Sequence, residues 1–319
     1  MSKFIALIIA IISYPIIYYL SAFYTGGDQY LYSLFYQEVK DLDLVSAYRQ
    51  MQVTLGAGEP LYCIMVWVAA NFFSKIIFFS VLNSLVVYYY SLLILRSCVY
   101  KYFIPLFLTN YYLFFLLFGA ERNKVSFLFI LIFIAVRNKI IKGGSVLLSL
   151  SSHFSSVMFF LIPYISSLLE LLVSGKFYSL RVKKINFYLS IILGGGGLFF
   201  IFLIKDSIVA KVMFYSSQIF YIESAKVLVL ILVSIFSVRR EDRVQVNVVL
   251  VLYALLALFV GGGRFFLISF LTLTYYVLRA RKISLTYVFL LIYLSCKSYT
   301  FILNMIEYGD PFYFVQMSI

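Results

Sequence analysis

The sequence predicts an all-α polytopic membrane protein, and three observations predict it. Of its 319 residues 64% are hydrophobic and 20% aromatic, and only 12% are charged, whereas a water-soluble domain carries about 25% charged residues. The apolar residues fall in solid runs such as Phe4 to Phe23, Ile76 to Leu95 and Tyr287 to Leu303, long enough to cross a hydrocarbon core. Those runs do not alternate apolar with polar residues, so a closed β-barrel is not expected. A soluble, disordered, collagen-like or coiled-coil chain is excluded on the same grounds.

Apolar runs lie at roughly 4–23, 76–95, 102–118, 125–136, 143–173, 186–204, 225–238, 245–260, 265–278 and 284–302. With a hairpin in the over-long 143–173 piece they give about 10–12 transmembrane helices in one integral membrane domain, residues 1–319. The first run follows a single lysine, Lys3, has no small-residue cleavage site, and reads as a retained span. Leu61 to Phe73 has only about 13 apolar residues, the length of a re-entrant or interfacial piece.

Orientation follows from the basic residues, because cytoplasmic loops collect them. With Leu61 to Phe73 dipping in and returning, one side receives Lys3, Arg96, Arg137, Lys139, Lys142 and others, 16 of the 26 Lys and Arg residues. The opposite side and the membrane keep 10 of the 13 acidic residues. The net charge of +13 is thereby accounted for as a topology signal and not as a nucleic-acid surface. The outer face then carries a long first loop at about 25–58, the GAERNK turn, a second loop at about 205–224, the GGGR turn and the tail from Asn304. The stretch from Lys211 alternates apolar and polar faces and reads equally as an interfacial helix or a connecting loop.

Familiar sites are missing from the sequence. It has no GxxxxGK, HExxH or GxSxG motif, and Cys63, Cys98 and Cys296 have no paired spacing. One histidine rules out a multi-histidine metal site, so no metal and no cofactor is expected. The candidates are ionisable groups that abut apolar helices: Asp28, Glu59, Glu121, Arg122, His153 and Arg264. Arg122 reads equally as a snorkelling anchor or a site residue, Glu121 as its solvated neighbour, and His153 in SSHFSS equally as a packed histidine or a base.

Taken in order, TGGDQYLY from Thr25, GEPLY from Gly58, GAERNKVSFLFILIFIAVRNK from Gly119 and LSLSSHFSSVMFFLIPY from Leu148 resemble the EpsG-like family of Wzy-type polysaccharide polymerases. The resemblance covers roughly residues 24–165, half the chain, and rests on the ordered set, since each motif alone is weak. The family's Arg-Gln-x-x-Ala is here Arg122-Asn123-Lys124-Val125-Ser126, and Ser152 stands where an aromatic residue commonly precedes the histidine.

The resemblance implies a glycosyltransferase of the bacterial inner membrane with its active site facing the periplasm. It would move a growing glycan from undecaprenyl pyrophosphate to the non-reducing end of another lipid-linked repeat unit. Its partners would be the lipid-linked donor and acceptor, membrane lipids and a chain-length regulator, with no nucleic acid. The pyrophosphate leaves as a stable anion, so a fixed cation and not a general acid is needed, and Arg122 and Arg264 suit that task. His153, Asp28 or Glu59 would take the proton of the attacking hydroxyl. Tyr30 and Tyr62 would offer stacking surfaces to sugars. An O-antigen ligase, a flippase or other transporter of lipid-linked glycan, and a membrane O-acyltransferase are the alternatives from other classes.

Overall fold

The computed structural model describes residues 1–97, 101–153, 156, 159–160, 221–260 and 262–313, and of 221–223, 259–260 and 262–264 the backbone only. The expected span at 186–204, the loop at 205–220, the Gly194 to Gly197 run, Cys98, Gly261 and most of the proposed 143–173 hairpin lie outside the described residues. Among the described residues every regular element is helical. Three helices are long and apolar enough to cross a membrane, or up to five if each of two bent pairs counts as one span. The chain divides into two compact units, residues 1–156 with 288–319, and residues 157–287.

In the first unit, α1 (Ser2–Ser21) and α5 (Lys75–Arg96) are the long apolar helices. They run antiparallel: Ala6 near the start of α1 packs with Leu92 near the end of α5, and Ser21 shares a cavity wall with Lys75. The next helix, α8 (Glu121–Ala135), begins beside Lys75 and ends with Ala135 in the Ala6–Leu92 cluster. The Arg96 guanidinium donates to the Ala135 carbonyl. Lys3, Arg96 and Arg137 therefore gather at one end of the unit, as the basic-residue pattern expects, and Lys75 and Glu121 at the other.

The first outer loop expected at 25–58 is largely helical. Its glycine pair explains how α2 (Asp28–Glu38) starts. Thr25 and Gly26 donate their backbone N–H groups to the Gly309 carbonyl at 3.0 and 2.8 Å. A Cβ on Gly27, whose φ is +54°, would lie 2.9 Å from the Asp310 carboxylate. Only glycine fits there without a shift. Next, α3 (Leu44–Leu55) is capped by Asp43, whose Oδ1 accepts from the N–H groups of Val45 and Ser46, and closed by Gly56 at φ +55°. A hydroxyl bond from Ser46, with those N–H groups, holds the Asp43 carboxyl below the usual carboxylate range. These caps make stable helices of a polar stretch that hydropathy alone leaves as loop.

The short apolar piece becomes α4 (Pro60–Phe72), bent by 109° from α3. Proline suits the first helical position, where its missing N–H has no partner to lose. Glu59 precedes it and pairs with Arg122. Past its other end, the Phe73 carbonyl accepts from Tyr36 Oη at 3.1 Å, and Lys75 reaches Glu121. Both ends of α4 thus stay at the Glu121 end of the unit, and α4 does not cross it.

Between α5 and α8 the chain forms α6 (Ile104–Leu108) and α7 (Tyr111–Phe114), the latter continuing into a π turn over Phe115–Gly119. After α8 comes α9 (Lys139–Ser152), tied to it by the Ser126 and Ser149 hydroxyls at 3.1 Å. The second unit holds α10 (Tyr221–Ser237), α11 (Arg240–Val260), α12 (Gly262–Ala280) and the start of α13 (Leu285–Tyr308). There Ser224 donates to the Ala254 carbonyl at 2.9 Å, and the Thr274 and Tyr287 hydroxyls pair at 2.7 Å.

Candidate active site

The first turn of α8, Glu121-Arg122-Asn123-Lys124, is polar at four consecutive positions, which covers the whole circumference of a helix. Some of these residues must therefore face the interior. All four are buried, with Glu121 and Lys124 each 2% exposed and Arg122 9%. Charges in such a place persist only when other groups answer them. The partners come from every motif that carried the family resemblance.

Arg122 is answered first. Its Nη1 donates to both oxygens of Glu59 at 3.1 Å, and its Nε donates to Tyr32 Oη at 3.2 Å. His153, set at the end of α9, brings Nε2 to 3.7 Å from Glu59 Oε1. The carboxylate thus lies between a guanidinium and an imidazole. Glu121 is answered separately. It accepts from Tyr62 Oη at 2.8 Å and pairs with Lys75 Nζ at 3.4 Å. Lys75 also donates to Gln29 Oε1 at 2.7 Å and Ser33 Oγ at 3.0 Å, while Gln29 Nε2 donates to the Phe118 carbonyl at the end of the π turn. The π turn, a form of helix common at functional positions, leads directly into α8.

The phenols around the cluster remain donors. Burial raises the Tyr32 hydroxyl above its ordinary pKa, and the nearby Arg122 guanidinium only partly offsets this. Tyr36 is pushed up to about 12 by burial and, to a lesser degree, by Glu121. Tyr24 is raised by burial and by Asp310. Kept neutral, Tyr32 accepts from Arg122 and Tyr36 donates to the Phe73 carbonyl without adding charge to the cluster.

Of the residues singled out in the sequence, Glu59, Arg122, His153 and Tyr62 come together. Asp28 lies exposed in the first turn of α2, and Tyr30, 64% exposed, stands at the rim of the neighbouring cavity. Arg264 lies in the first turn of α12, in the second unit, with only its backbone described. The reading of Glu121 as a solvated neighbour is corrected: it is buried and anchors half of the network, because α8 turns it toward Tyr62 and Lys75. Gln29, Tyr32, Lys75 and Lys124 were missed. The spacing of Gln29, Tyr32 and Tyr36 at i, i+3 and i+7 already marks the buried face of α2, with Asp28 and Tyr30 off it.

Among the described residues no group of three or more His, Cys, Asp or Glu side chains is arranged to hold a metal ion. The arrangement can fix an anion on Arg122, whose Nη2 is not used by Glu59 or Tyr32, and can accept a proton on the His153 and Glu59 pair. No protein-family model, no curated protein and no solved structure matches the chain.

Proposed function

We propose that this protein is a membrane glycosyltransferase of the Wzy type, a polymerase that transfers a growing glycan from undecaprenyl pyrophosphate to a second lipid-linked repeat unit. The observation that supports it best is convergence: segments far apart in sequence, which carried the family resemblance as an ordered set, place Tyr32, Glu59, Arg122 and His153 in one buried network. A scaffold needs no such meeting of a guanidinium, a carboxylate and an imidazole in an apolar unit, and such groups within a membrane mark function by default.

Each group then has a task. Arg122 holds the departing pyrophosphate through Nη2 while Glu59 and Tyr32 fix the plane of its guanidinium. The anomeric carbon loses the pyrophosphate oxygen as the acceptor hydroxyl attacks, and the hydroxyl proton passes to His153. Glu59 stabilises the imidazolium that results. The basic end of the unit, with Lys3, Arg96 and Arg137, faces the cytoplasm in this reading, so the network opens toward the outer face.

The surface polysaccharide of a deletion strain tests this reading. A ladder reduced to one repeat unit is the polymerase outcome, whereas loss of every repeat identifies a ligase or flippase. In the complemented strain Arg122→Lys is expected to leave single repeats as well, because a lysine cannot keep the Glu59 and Tyr32 bonds and still reach an anion. A full-length ladder from Arg122→Lys would reduce Arg122 to an anchor.

A further inference from the structure

Beside the Lys75–Glu121 pair the first unit contains a cavity of about 290 Å³, bounded by the end of α1 and the starts of α2, α5 and α8. Its rim holds Ala22, Thr25 and the exposed Tyr30, and its walls hold Lys75, Lys124, Glu121 and Asn83. The two lysines differ in one respect. Lys75 is fully engaged by Glu121, Gln29 and Ser33. Lys124 is 2% exposed, with Nζ 5.1 Å from the centre of the Phe79 ring, and among the described residues no oxygen accepts a hydrogen bond from it. In the same wall Asn83 Oδ1 is buried without a hydrogen-bond partner.

An ammonium at a cavity wall that is bonded to no protein oxygen has its donors available to an anion, and a charge-assisted hydrogen bond there is strong. Two ammonium groups against the one Glu121 carboxylate leave an excess of positive charge at the cavity wall. Low dielectric surroundings on the Phe79 side strengthen the attraction. We propose that this cavity binds a phosphate-class oxyanion, with Lys124 as the free cation that captures it and Lys75 as a second cation held in place by Glu121, Gln29 and Ser33. A polymerase of lipid-linked glycans handles two pyrophosphates, on donor and acceptor, so a second oxyanion position fits that reading. The cavity supports the assignment independently of it.

The test uses full-length protein in detergent, titrated in a calorimeter with inorganic pyrophosphate and separately with a polyprenyl diphosphate in the same micelles. The wild type is expected to bind at least one of them saturably. Lys124→Met should bind at least about tenfold more weakly, the effect of one charge-assisted hydrogen bond, and Lys124→Arg should regain most of the loss. Methionine matches the lysine stem and removes a buried charge, so folding should be kept; if the yield of Lys124→Met is poor, Lys124→Gln takes its place. Competition between the two probes identifies the pyrophosphate group itself as the ligand, and binding of the lipid form alone identifies a headgroup with its chain; both support the site. Absence of binding to the wild type, or unchanged affinity in Lys124→Met, overturns it. A normal glycan ladder from Arg122 variants would overturn the polymerase roles and leave this binding result standing.

Discussion

The described parts of the two units handle buried polarity differently. Unit one buries Glu121, Arg122, Lys124 and His153 around Glu59 and Lys75 and links most of them into networks. In the described part of unit two the buried polar groups are mostly hydroxyls, such as Ser224, Ser237, Thr274 and Tyr287, that satisfy each other or a backbone carbonyl. Its buried carboxylate, Asp242, lies in the first turn of α11 and pairs with the half-exposed Arg279 at 3.6 Å. Hydroxyl pairs are what helix packing in an apolar medium requires. A network of full charges is not, and in the described residues of the first unit it is the feature on which the proposed chemistry rests.

The comparison is broken most severely by removing one partner of the central pair. Arg122→Ala leaves the partly buried Glu59 without its cation, so up to about 3–5 kcal/mol of stability should be lost together with all polymer. Thermal unfolding in detergent and the glycan ladder measure the two effects. If the variant keeps both its melting midpoint and its ladder, the charged network is not what sets the first unit apart.

Changes at His153 sharpen the comparison further, because they separate chemistry from stability. His153→Gln keeps a hydrogen-bonding side chain of similar size but cannot take a proton, so polymer should fall about 100-fold or more while the protein level stays normal. A ladder of ordinary length from His153→Gln would make the histidine a packed residue like the hydroxyls of unit two.

The smallest effects come from paired phenol deletions, one in each unit. Tyr62→Phe takes a donor from the Glu121 carboxylate and should cost about 1.5–3 kcal/mol and lower polymer length. Tyr287→Phe removes a neutral hydroxyl pair with Thr274 and should cost about 0.5–1.5 kcal/mol with the ladder unchanged. Equal costs in the two melting curves would erase the distinction between the units.

The helical class and part of the charged network are legible in the sequence, but the division between units is not, since Arg264 of the second unit stands among the sequence candidates. Helical class and the long helices α1, α5 and α13 follow from solid apolar runs. Glu59, Arg122 and His153 stood out because each is an ionisable group against apolar sequence. Lys75 and Lys124 are hidden in the sequence for a different reason. Lys75 opens an apolar helix, where a lysine ordinarily snorkels to the surface, and nothing in its neighbours shows that Gln29 and Ser33 on α2 turn it inward. The four polar residues that open α8 surround its axis, so helical period assigns them no face. The polar composition of α2 and α3 predicts loop, although Asp43 before α3 and Gly56 after it are ordinary capping signals.

The central claim, that Arg122 and Glu59 perform chemistry and are not a strut, is tested most directly by removing both together. In Glu59→Leu/Arg122→Met no charge is left unpaired, and replacement of a buried pair by apolar residues of similar volume is often neutral or stabilising. The measurement is the surface-glycan ladder of a deletion strain that carries this double variant, with its protein level recorded alongside. A normal level with glycan of single repeat length is the predicted result, and a normal level with a full-length ladder would contradict the claim.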